Sequence, residues 1–496
     1  MALTRYAELR NQLMRLALSG AGAPAVLRDA DNDYVPIPIS ERLVQCLWYD
    51  QRIRTDGLRT ADGRPVRVTF PGWWNLEAGP DFRHATIQIG DEAECTGDVE
   101  IHLRAEDWMH HGHGRDPLYN DVILHVVLWE SPSPVAVRTR AGEILPQLVL
   151  QNQLAAPLES LYDEIDPDAY PHNARGHGGN CARTLQELDG DSVGALLEAA
   201  GDERFAAKAR KYFRWIHRAG PEQAFYEGWM EALGYKANKT GFRALAQALP
   251  LSAWEGERRK EMAAMMFGVA NFLPTVLPKS KDPHIKRLWK AWWKLRPEFE
   301  DRILPVGRWK FHGVRPANHP HRRLGAAVAL LRKHRDLLEK VMGAIESGGD
   351  PAKLFLQVSD PYWNVHFTLG GRIQARALEL IGQSRAEEIA ANVLLPFAAA
   401  MAERDGDGAL RAAVQARYAG LRPGPANSAL RLAGRQLFDA TPRSLRFINS
   451  ARRQQGLLQV FHDFCLNDKS ACQQCQFPEL VKRWKADAAA VTSACR

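Results

Sequence analysis

The 496-residue sequence has few cysteines, no long apolar run and little net charge, and each absence excludes a class of protein. Seven cysteines are too sparse for the disulfide framework of a small secreted protein, so we expect a reducing compartment, the cytoplasm. No apolar stretch approaches the roughly 20 residues that span a bilayer, and no membrane partner is expected. A formal charge of +7 permits a phosphate-rich partner but is also usual for a solvated surface.

What is present is the composition of a globular protein of more than one domain, with 45% hydrophobic and 25% charged residues. Short β-type runs separated by Gly, Pro and Asp occupy residues 40–150, whereas the pattern beyond the segment 166–185 is mostly helical. The sequence therefore predicts an α/β domain over 1–165, a linker over 166–185 that contains Cys181, and a helical domain over 186–496 that ends in a cysteine cluster.

Local patterns predict the elements of the α/β domain. Ser40 is placed to cap a helix that begins with Glu41. Alternating residues predict strands at 66–70, 82–89 and 98–103, and apolar runs predict further strands at 121–129 and 146–150. The strands at 82–89 and 98–103 are separated by a short turn-rich segment, so we expect them to form a hairpin. In the helical domain, amphipathic patterns predict long helices over 196–216 and 324–341.

The strand at 98–103 is the first candidate for chemistry. Its alternation directs Val99 and Ile101 to one face and the polar residues Asp98, Glu100 and His102 to the other. One face therefore belongs to the core, and the other faces solvent or a site.

A second acid stands at the head of the partner strand, where Asp81 follows a Gly-Pro turn. The hairpin brings Asp81 towards Glu100, and two carboxylates held together repel each other unless a cation lies between them. Oxygen ligands of this kind suit Mg²⁺ or Mn²⁺.

Asp81 in a Pro-Asp turn, followed by Glu100-Ile-His102, resembles the signature of the PD-(D/E)XK nuclease superfamily. The resemblance implies a restriction-endonuclease-like mixed sheet in which Asp81 and Glu100 hold the divalent metal. It also implies that His102 occupies the position of the catalytic lysine and that Glu41 matches an additional helical acid. Histidine departs from that pattern because it lacks a permanent charge at neutral pH.

A more extensive resemblance, to a bacterial domain family of unknown function, covers nearly the whole chain. It is carried by GPDF at 79–82, GDVEIH at 97–102, DW at 107–108, HGH at 111–113, YNDVILHVV at 119–127, GYKANK at 234–239 and RPANHPHRR at 315–323. This resemblance implies that the polar residues of the first domain share one site, and it implies no particular activity.

The loop at 107–116 is rich in histidine and aspartate, and we expect Asp107, His113 and Asp116 to line the rim of the same cleft or to complete a metal shell. Two other interpretations stay open. The histidines are incidental on a surface loop, or His111-x-His113 with Asp116 matches the HxHxDH pattern of metallo-β-lactamases, although Pro117 stands where that pattern requires a histidine.

Further residues are predicted to line the cleft: Asn75, Asp98, His111 and His125. His125 interrupts the apolar strand 121–129, which predicts a central strand covered on both faces. It is therefore either a core histidine or part of the site.

The strongest local motif is Cys465-x6-Cys472-x2-Cys475, since three thiolates at this spacing can hold a zinc ion or a 4Fe-4S cluster. The spacing resembles the loop of iron–sulfur DNA glycosylases, with Val481 in place of the fourth cysteine. Cys181 is the candidate fourth ligand, and Cys495 and His462 are alternatives.

Together these features predict a divalent-metal-dependent nuclease, with DNA preferred to RNA as substrate. A basic run on the predicted helix at 196–216 is a candidate contact to the nucleic-acid backbone: Arg204, Lys208, Arg210, Lys211 and Arg214. The alternative is a catalytically inactive nucleic-acid-binding or scaffold protein with a structural zinc or iron–sulfur site.

Overall fold

A computed structural model describes residues 4–18, 26–29, 32–54, 56–76, 78–132, 135–165, 167, 170, 180–254, 256–276, 282–312, 314–425, 428–438, 447–466 and 475–494. Within these ranges, every helix is too short or too polar to cross a membrane.

The strands are β1 Val26–Asp29, β2 Asn32–Pro38, β3 Val66–Phe70, β4 Trp73–Trp74, β5 Phe82–Ile89, β6 Cys95–His102, β7 Val122–Val127 and β8 Gln147–Val149. The helices up to residue 300 are α1 Arg5–Leu18, α2 Glu41–Tyr49, α3 Asp107–His110, α4 Leu158–Glu164, α5 Asn180–Gln186, α6 Gly190–Ala219, α7 Pro221–Leu233, α8 Tyr235–Ala248, α9 Met262–Val269 and α10 Pro283–Phe299. They are followed by α11 Pro320–Lys333, α12 Leu337–Glu346, α13 Lys353–Leu356, α14 Gln383–Ile389, α15 Leu395–Asp405, α16 Gly408–Ala419, α17 Ser428–Phe438, α18 Ala451–Phe461 and α19 Phe477–Ala494.

The chain divides into two compact units, and each is discontinuous in sequence. We call Leu3–Ala200, Asn427–Phe447 and Leu457–Arg496 the sheet unit, and Met1–Ala2, Gly201–Ala426 and Ile448–Gly456 the helical unit. The predicted boundaries at 165 and 185 stay a prediction.

The sheet unit is built on a mixed sheet that curls into a half-barrel. Its strand order is β3-β5-β6-β7-β8, with β4 paired to β5. The β5–β6 hairpin is antiparallel, as predicted, whereas β6–β7 and β7–β8 are parallel. The predicted α/β class with a large helical region is confirmed.

One face of this sheet is covered by α2. Ser40 caps the helix as predicted, since its hydroxyl accepts a hydrogen bond from the backbone N–H of Leu43 at 3.3 Å. The core between helix and sheet takes the apolar side chains that alternation directs inward, among them Leu43, Leu47, Phe82, Val99, Ile101 and Leu124. The opposite face of β6 is thereby left for Asp98, Glu100 and His102.

The helical unit is packed around a large apolar core to which α7, α9, α11 and α15 contribute buried stripes. The single long helix predicted over 324–341 is wrong, because α11 ends at Lys333 and α12 begins at Leu337. The backbone N–H of His334 still bonds to Leu330, but the extended conformation of His334 terminates the helix there.

Within the sheet unit, α1 is joined to the C-terminal region through the buried side chain of Asp463. Tyr6 and Arg10 of α1 each contact Asp463 Oδ2 at 2.9 Å, and the Gln459 amide donates to the same carboxylate. Burial alone would raise the pKa of Asp463, but the charge of Arg10 and hydrogen bonds from His462 and Arg10 outweigh it and hold the pKa well below its usual range.

We predict that Asp463→Asn lowers the free energy of unfolding by about 3 kcal/mol at neutral pH, because it removes the buried carboxylate charge that pairs with the half-buried Arg10. The folded-state pKa is depressed, so this stability is present above the unfolded pKa of about 3.9 and is lost as the pH falls below it. Urea denaturation followed by circular dichroism between pH 3 and pH 7 measures both effects.

The matched control is Asp62→Asn, which removes an exposed ion pair with Arg64 and should cost less than about 1 kcal/mol. Equal losses in the two variants, or a wild-type advantage over Asp463→Asn that grows towards low pH, would contradict the assignment.

Candidate metal centre

The site begins with the two polar side chains that β6 directs away from the core. Glu100 and His102 are two residues apart on this strand, both buried, and β7 adds His125 in register with Glu100. Strand alternation thus puts a carboxylate and two imidazoles on one face of the sheet.

The connection from β6 to β7 supplies two more histidines. It runs over this face of the sheet through α3, and His111-Gly112-His113 follows the helix. Gly112 has a φ of 77°, a left-handed conformation that favours glycine, and it reverses the chain between the two histidines. As a result, both rings turn towards His102.

The nitrogen atoms of these histidines lie close together. His102 Nε2 is 3.1 Å from His111 Nδ1 and 3.2 Å from His113 Nε2, and all three atoms lie within 4.8 Å of one another. Glu100 Oε1 is 3.3 Å from His113 Nε2 and 3.6 Å from His102 Nε2. Ligands about 2.0–2.1 Å from a tetrahedral zinc ion lie about 3.3 Å apart, so the separations measured from His102 Nε2 and from His113 Nε2 fit neighbouring ligands of one ion.

Proton counting supports the same interpretation. A neutral imidazole carries one N–H, and His102 Nε2 faces two other ring nitrogens at once. A single proton satisfies only one of these contacts, whereas one cation accepts a lone pair from every ring. We call the set Glu100, His102, His111 and His113 the histidine cluster.

His125 orients His102 through Nδ1, the ring nitrogen of His102 that does not contact His111 or His113. Its Nε2 is 2.8 Å from His102 Nδ1. For His102 Nε2 to be a ligand, the proton of His102 must lie on Nδ1 and be donated to His125, which is the usual arrangement behind a metal-bound histidine. His125 Nδ1 is a buried nitrogen for which no hydrogen-bond partner occurs among the described residues.

Burial favours the neutral form of His102, His113 and His125. It lowers the pKa of His102 well below its usual value, with further lowering by His125, His111 and His113. Burial also lowers the pKa of His113 to about 4 and that of His125 to about 3. Neutral imidazole is the form that binds a metal ion, so His102 and His113 are available as ligands at physiological pH.

Glu100 is in the opposite situation. Burial raises its pKa well above the usual value, and the charge of Glu41, at the start of α2, raises it further. A buried carboxylate beside a second carboxylate is costly in its ionised form. A cation among the histidines would remove that cost.

Two aromatic residues that the sequence analysis missed enclose the cluster. Tyr119 stacks on His113 with ring centroids 3.9 Å apart. Trp108 lies edge-on to His113 and His125, at 5.4 and 5.3 Å, and its indole N–H donates to the carbonyl of Arg138. The motif Asp-Trp at 107–108 carried this signal, since a tryptophan directly before a histidine-rich loop is available to pack on it.

Asp81 lies next to Glu100, but the contact is made by the backbone N–H of Asp81 and not by its carboxylate. The Asp81 N–H donates to Glu100 Oε2 at 2.9 Å, while Asp81 Oδ2 accepts from the N–H of Ile101 and Oδ1 from the Gln45 amide, both at 3.0 Å. The Oδ2 atom of Asp81 therefore binds β6, and its Oδ1 atom binds α2. A shared metal between Asp81 and Glu100 stays a prediction.

The remaining predicted acids and Asn75 bond to nearby backbone. Asn75 donates to Pro80, Asp98 accepts from the N–H of His84, Asp107 from Arg104 and Asp116 from Leu118. These bonds shape the turns around the histidine cluster. Their predicted place at the rim of a cleft stays a prediction.

The cysteine motif is only partly covered by the described residues, because Cys472 and Cys495 lie outside them. Cys181 is buried, with its Sγ 3.8 Å from the carbonyl of Gln436, and Cys475 lies two residues before the start of α19. The predicted zinc or 4Fe-4S site therefore stays a prediction.

The basic residues of α6 contact side chains of the helical unit itself. Lys208 bonds to Asn392, Arg210 to Glu203 and Lys211 to Glu231. These contacts give them a structural role, and the predicted contact with nucleic acid stays a prediction.

The fold and the site define a protein with a buried histidine cluster on a curled mixed sheet and a separate helical unit. The model of a family described as "Protein of unknown function (DUF2851)" matches residues 41–424, which is more than half of the chain. The chain therefore belongs to this family, which confirms the resemblance to a domain family of unknown function over these residues, whereas the resemblance to the PD-(D/E)XK superfamily stays a prediction. Comparison with curated proteins and with solved structures found no significant match.

We predict that zinc at about 100 times its Kd stabilises the protein by about 2.7 kcal/mol, because it binds the folded histidine cluster. Thermal unfolding of metal-free protein with and without zinc measures the shift. His111→Ala should abolish the shift while leaving the metal-free Tm nearly unchanged, because His111 is exposed.

His110→Ala provides the matched control, since His110 is the exposed neighbour and pairs with Asp107 at 3.6 Å. This variant should keep the full zinc shift. A shift that survives in His111→Ala, or that disappears equally in both variants, would contradict a metal site at the cluster.

Proposed function

We propose that this protein is a metal-dependent hydrolase that cleaves phosphodiester bonds of nucleic acid. The observation that carries the proposal is the convergence of three histidine nitrogens and one glutamate oxygen on one point of the sheet. Beside these four donors a catalytic metal ion also needs a position for water, which zinc provides by expanding to five ligands and manganese by its octahedral shell.

The donor set favours zinc over magnesium. Magnesium prefers oxygen ligands and keeps several waters, whereas imidazole suits zinc and related ions. Manganese accepts carboxylates readily, and Glu100 offers one, so it is the second ion to test. The predicted Mg²⁺ or Mn²⁺ between Asp81 and Glu100 competes with this proposal and is distinguished by metal preference.

A zinc ion supplies acidified water and a positive charge that stabilises a phosphoryl transition state. The chain's own residues supply the surroundings. His125 holds the ring of His102 in orientation, and Tyr119 and Trp108 shield His113 from solvent. Glu41 is the proposed proton acceptor, because it matches the additional helical acid of the PD-(D/E)XK pattern and its charge raises the pKa of both Glu100 and Tyr119.

This proposal keeps part of what the resemblance to PD-(D/E)XK nucleases implies and changes the roles of two residues. The reaction class is retained, as is a role for Glu100 and His102. In our proposal Asp81 braces the site and His102 is a metal ligand, because its Nε2 lies among the other ring nitrogens.

We predict that the zinc- or manganese-loaded protein cleaves single- or double-stranded DNA or RNA, and that Glu41→Gln lowers kcat by at least about 100-fold. The same variant should keep the zinc-dependent thermal shift, because Glu41 is outside the ligand set. His111→Ala should lose both cleavage and the shift, and His110→Ala should lose neither. Gel-resolved cleavage of end-labelled oligonucleotides measures the activity.

Metal-dependent binding of nucleic acid without cleavage by the wild-type protein would overturn the proposal in favour of the binding or scaffold alternative. Full activity in Glu41→Gln would overturn the role of Glu41. Activity with magnesium alone that survives in His111→Ala but fails in Asp81→Asn would favour the carboxylate pair instead.

A further inference from the structure

An exposed tryptophan stands on the same sheet as the histidine cluster. Trp73 of β4 is 69% exposed, whereas its neighbour Trp74 packs on Phe82 of the core at 5.1 Å. Phe70 lies edge-on to Trp73 at 5.2 Å and extends the aromatic surface. An aromatic pair held in water is costly and often marks a binding surface.

Strand pairing determines which face carries this pair. Trp74 is paired with Phe82 on the core side, so Trp73, paired with Arg83, lies on the opposite face. Phe70 is paired with Thr86, which alternates with the core residue Ile87 and so lies on that opposite face as well.

This is also the face of the histidine cluster. On β6, Val99 and Ile101 belong to the core, so Glu100 and His102 project to the same side as Trp73. β4 and β6 both pair with β5, and strands lie about 4.8 Å apart, so the aromatic pair is on the order of 10 Å from the cluster. This distance is comparable to one or two nucleotides of an extended strand.

The face carries positive charge that is not compensated by an ion pair. Arg67 is exposed and paired in register with Gln88 on this face, and Arg83 is opposite Trp73. In the part of the chain that the structure describes, neither arginine contacts a carboxylate; Arg83 donates to the carbonyl of Ala78. Two acids nearby have other partners, since the Glu94 carboxylate accepts from the Thr69 hydroxyl and Asp98 accepts from the backbone N–H of His84.

The edge of this face has a bulge between Phe82 and Ala85, where the pairing of β5 with β6 shifts register. His84 adopts a φ of 57° within the bulge, which is unusual for a residue other than glycine. Bulges re-aim side chains beside functional sites, and this one lies between Trp73 and the histidine cluster.

We propose that Arg67, Phe70, Trp73 and Arg83 form the surface that binds single-stranded nucleic acid and leads it to the histidine cluster. A base stacks on Trp73 and the flanking phosphates contact the two arginines. Duplex nucleic acid keeps its bases stacked on one another, so it offers no free base to Trp73. The inference rests on the proposed function for its link to the cluster, but the binding itself requires no metal.

The test is fluorescence anisotropy of a labelled oligothymidylate with metal-free protein, compared with a duplex of equal length. Trp73→Ala should weaken the Kd for the single strand between about 5-fold and about 100-fold, the loss of one base–aromatic stack. Trp73→Phe should retain part of the affinity. Arg67→Ala and Arg83→Ala should each reduce the slope of log Kd against log salt concentration by about 0.7.

Ile144→Ala is the matched control, because Ile144 is 59% exposed in the same unit but lies outside this surface. Equal effects of Trp73→Ala and Ile144→Ala, tighter binding of the duplex, or no binding at all would overturn the inference. Binding that depends on Trp73 without any cleavage would support this surface while refuting the hydrolase, so the two failures are distinguishable.

Discussion

The sheet unit is organised around three buried donors, on Glu100, His102 and His113, and a fourth on the exposed His111. Glu100 is costly to ionise there, and His102 and His113 are kept neutral by the same burial. A cation resolves both conditions, because it attracts the carboxylate and accepts the ring lone pairs. Trp108 and Tyr119 exclude water from one side, which strengthens every electrostatic interaction inside. Burial therefore favours the uncharged forms of these side chains, and a bound cation would favour the ionised form of Glu100.

The sheet serves this site through its two faces. Alternation along β6 separates the apolar side chains that pack under α2 from the polar ones that form the cluster. The parallel step from β6 to β7 requires a crossover, and the crossover returns His111 and His113 over the strand they left. Close approach of the two strands depends on Gly97, where an added Cβ would lie 2.3 Å from Ile123 Cγ2. The connection from β6 to β7 therefore determines both the parallel pairing of these strands and the position of His111 and His113.

Many elements of the sheet unit were predictable from sequence, because strands alternate every two residues and a helix cap depends on a single side chain. The strands at 66–70 and 82–89, their hairpin partner and the Ser40 cap follow from alternation and from one hydroxyl. The centre of the site was not, because the convergence of His111 and His113 on His102 depends on the backbone of Gly112. Asp81 and Glu100 are neighbours as predicted, yet the contact runs through the Asp81 N–H, which no side-chain pattern reveals. The break between α11 and α12 falls in an unbroken amphipathic pattern that favours one helix.

We propose that one metal ion is held by the three histidines and Glu100. The most direct measurement is a crystal structure of the zinc-soaked protein with anomalous scattering recorded at the zinc edge. We expect one strong peak about 2.0–2.2 Å from His102 Nε2, His111 Nδ1 and His113 Nε2, with Glu100 as the fourth protein ligand. A peak between Asp81 and Glu100 alone, or a cluster without a peak at full zinc occupancy elsewhere, would contradict the account.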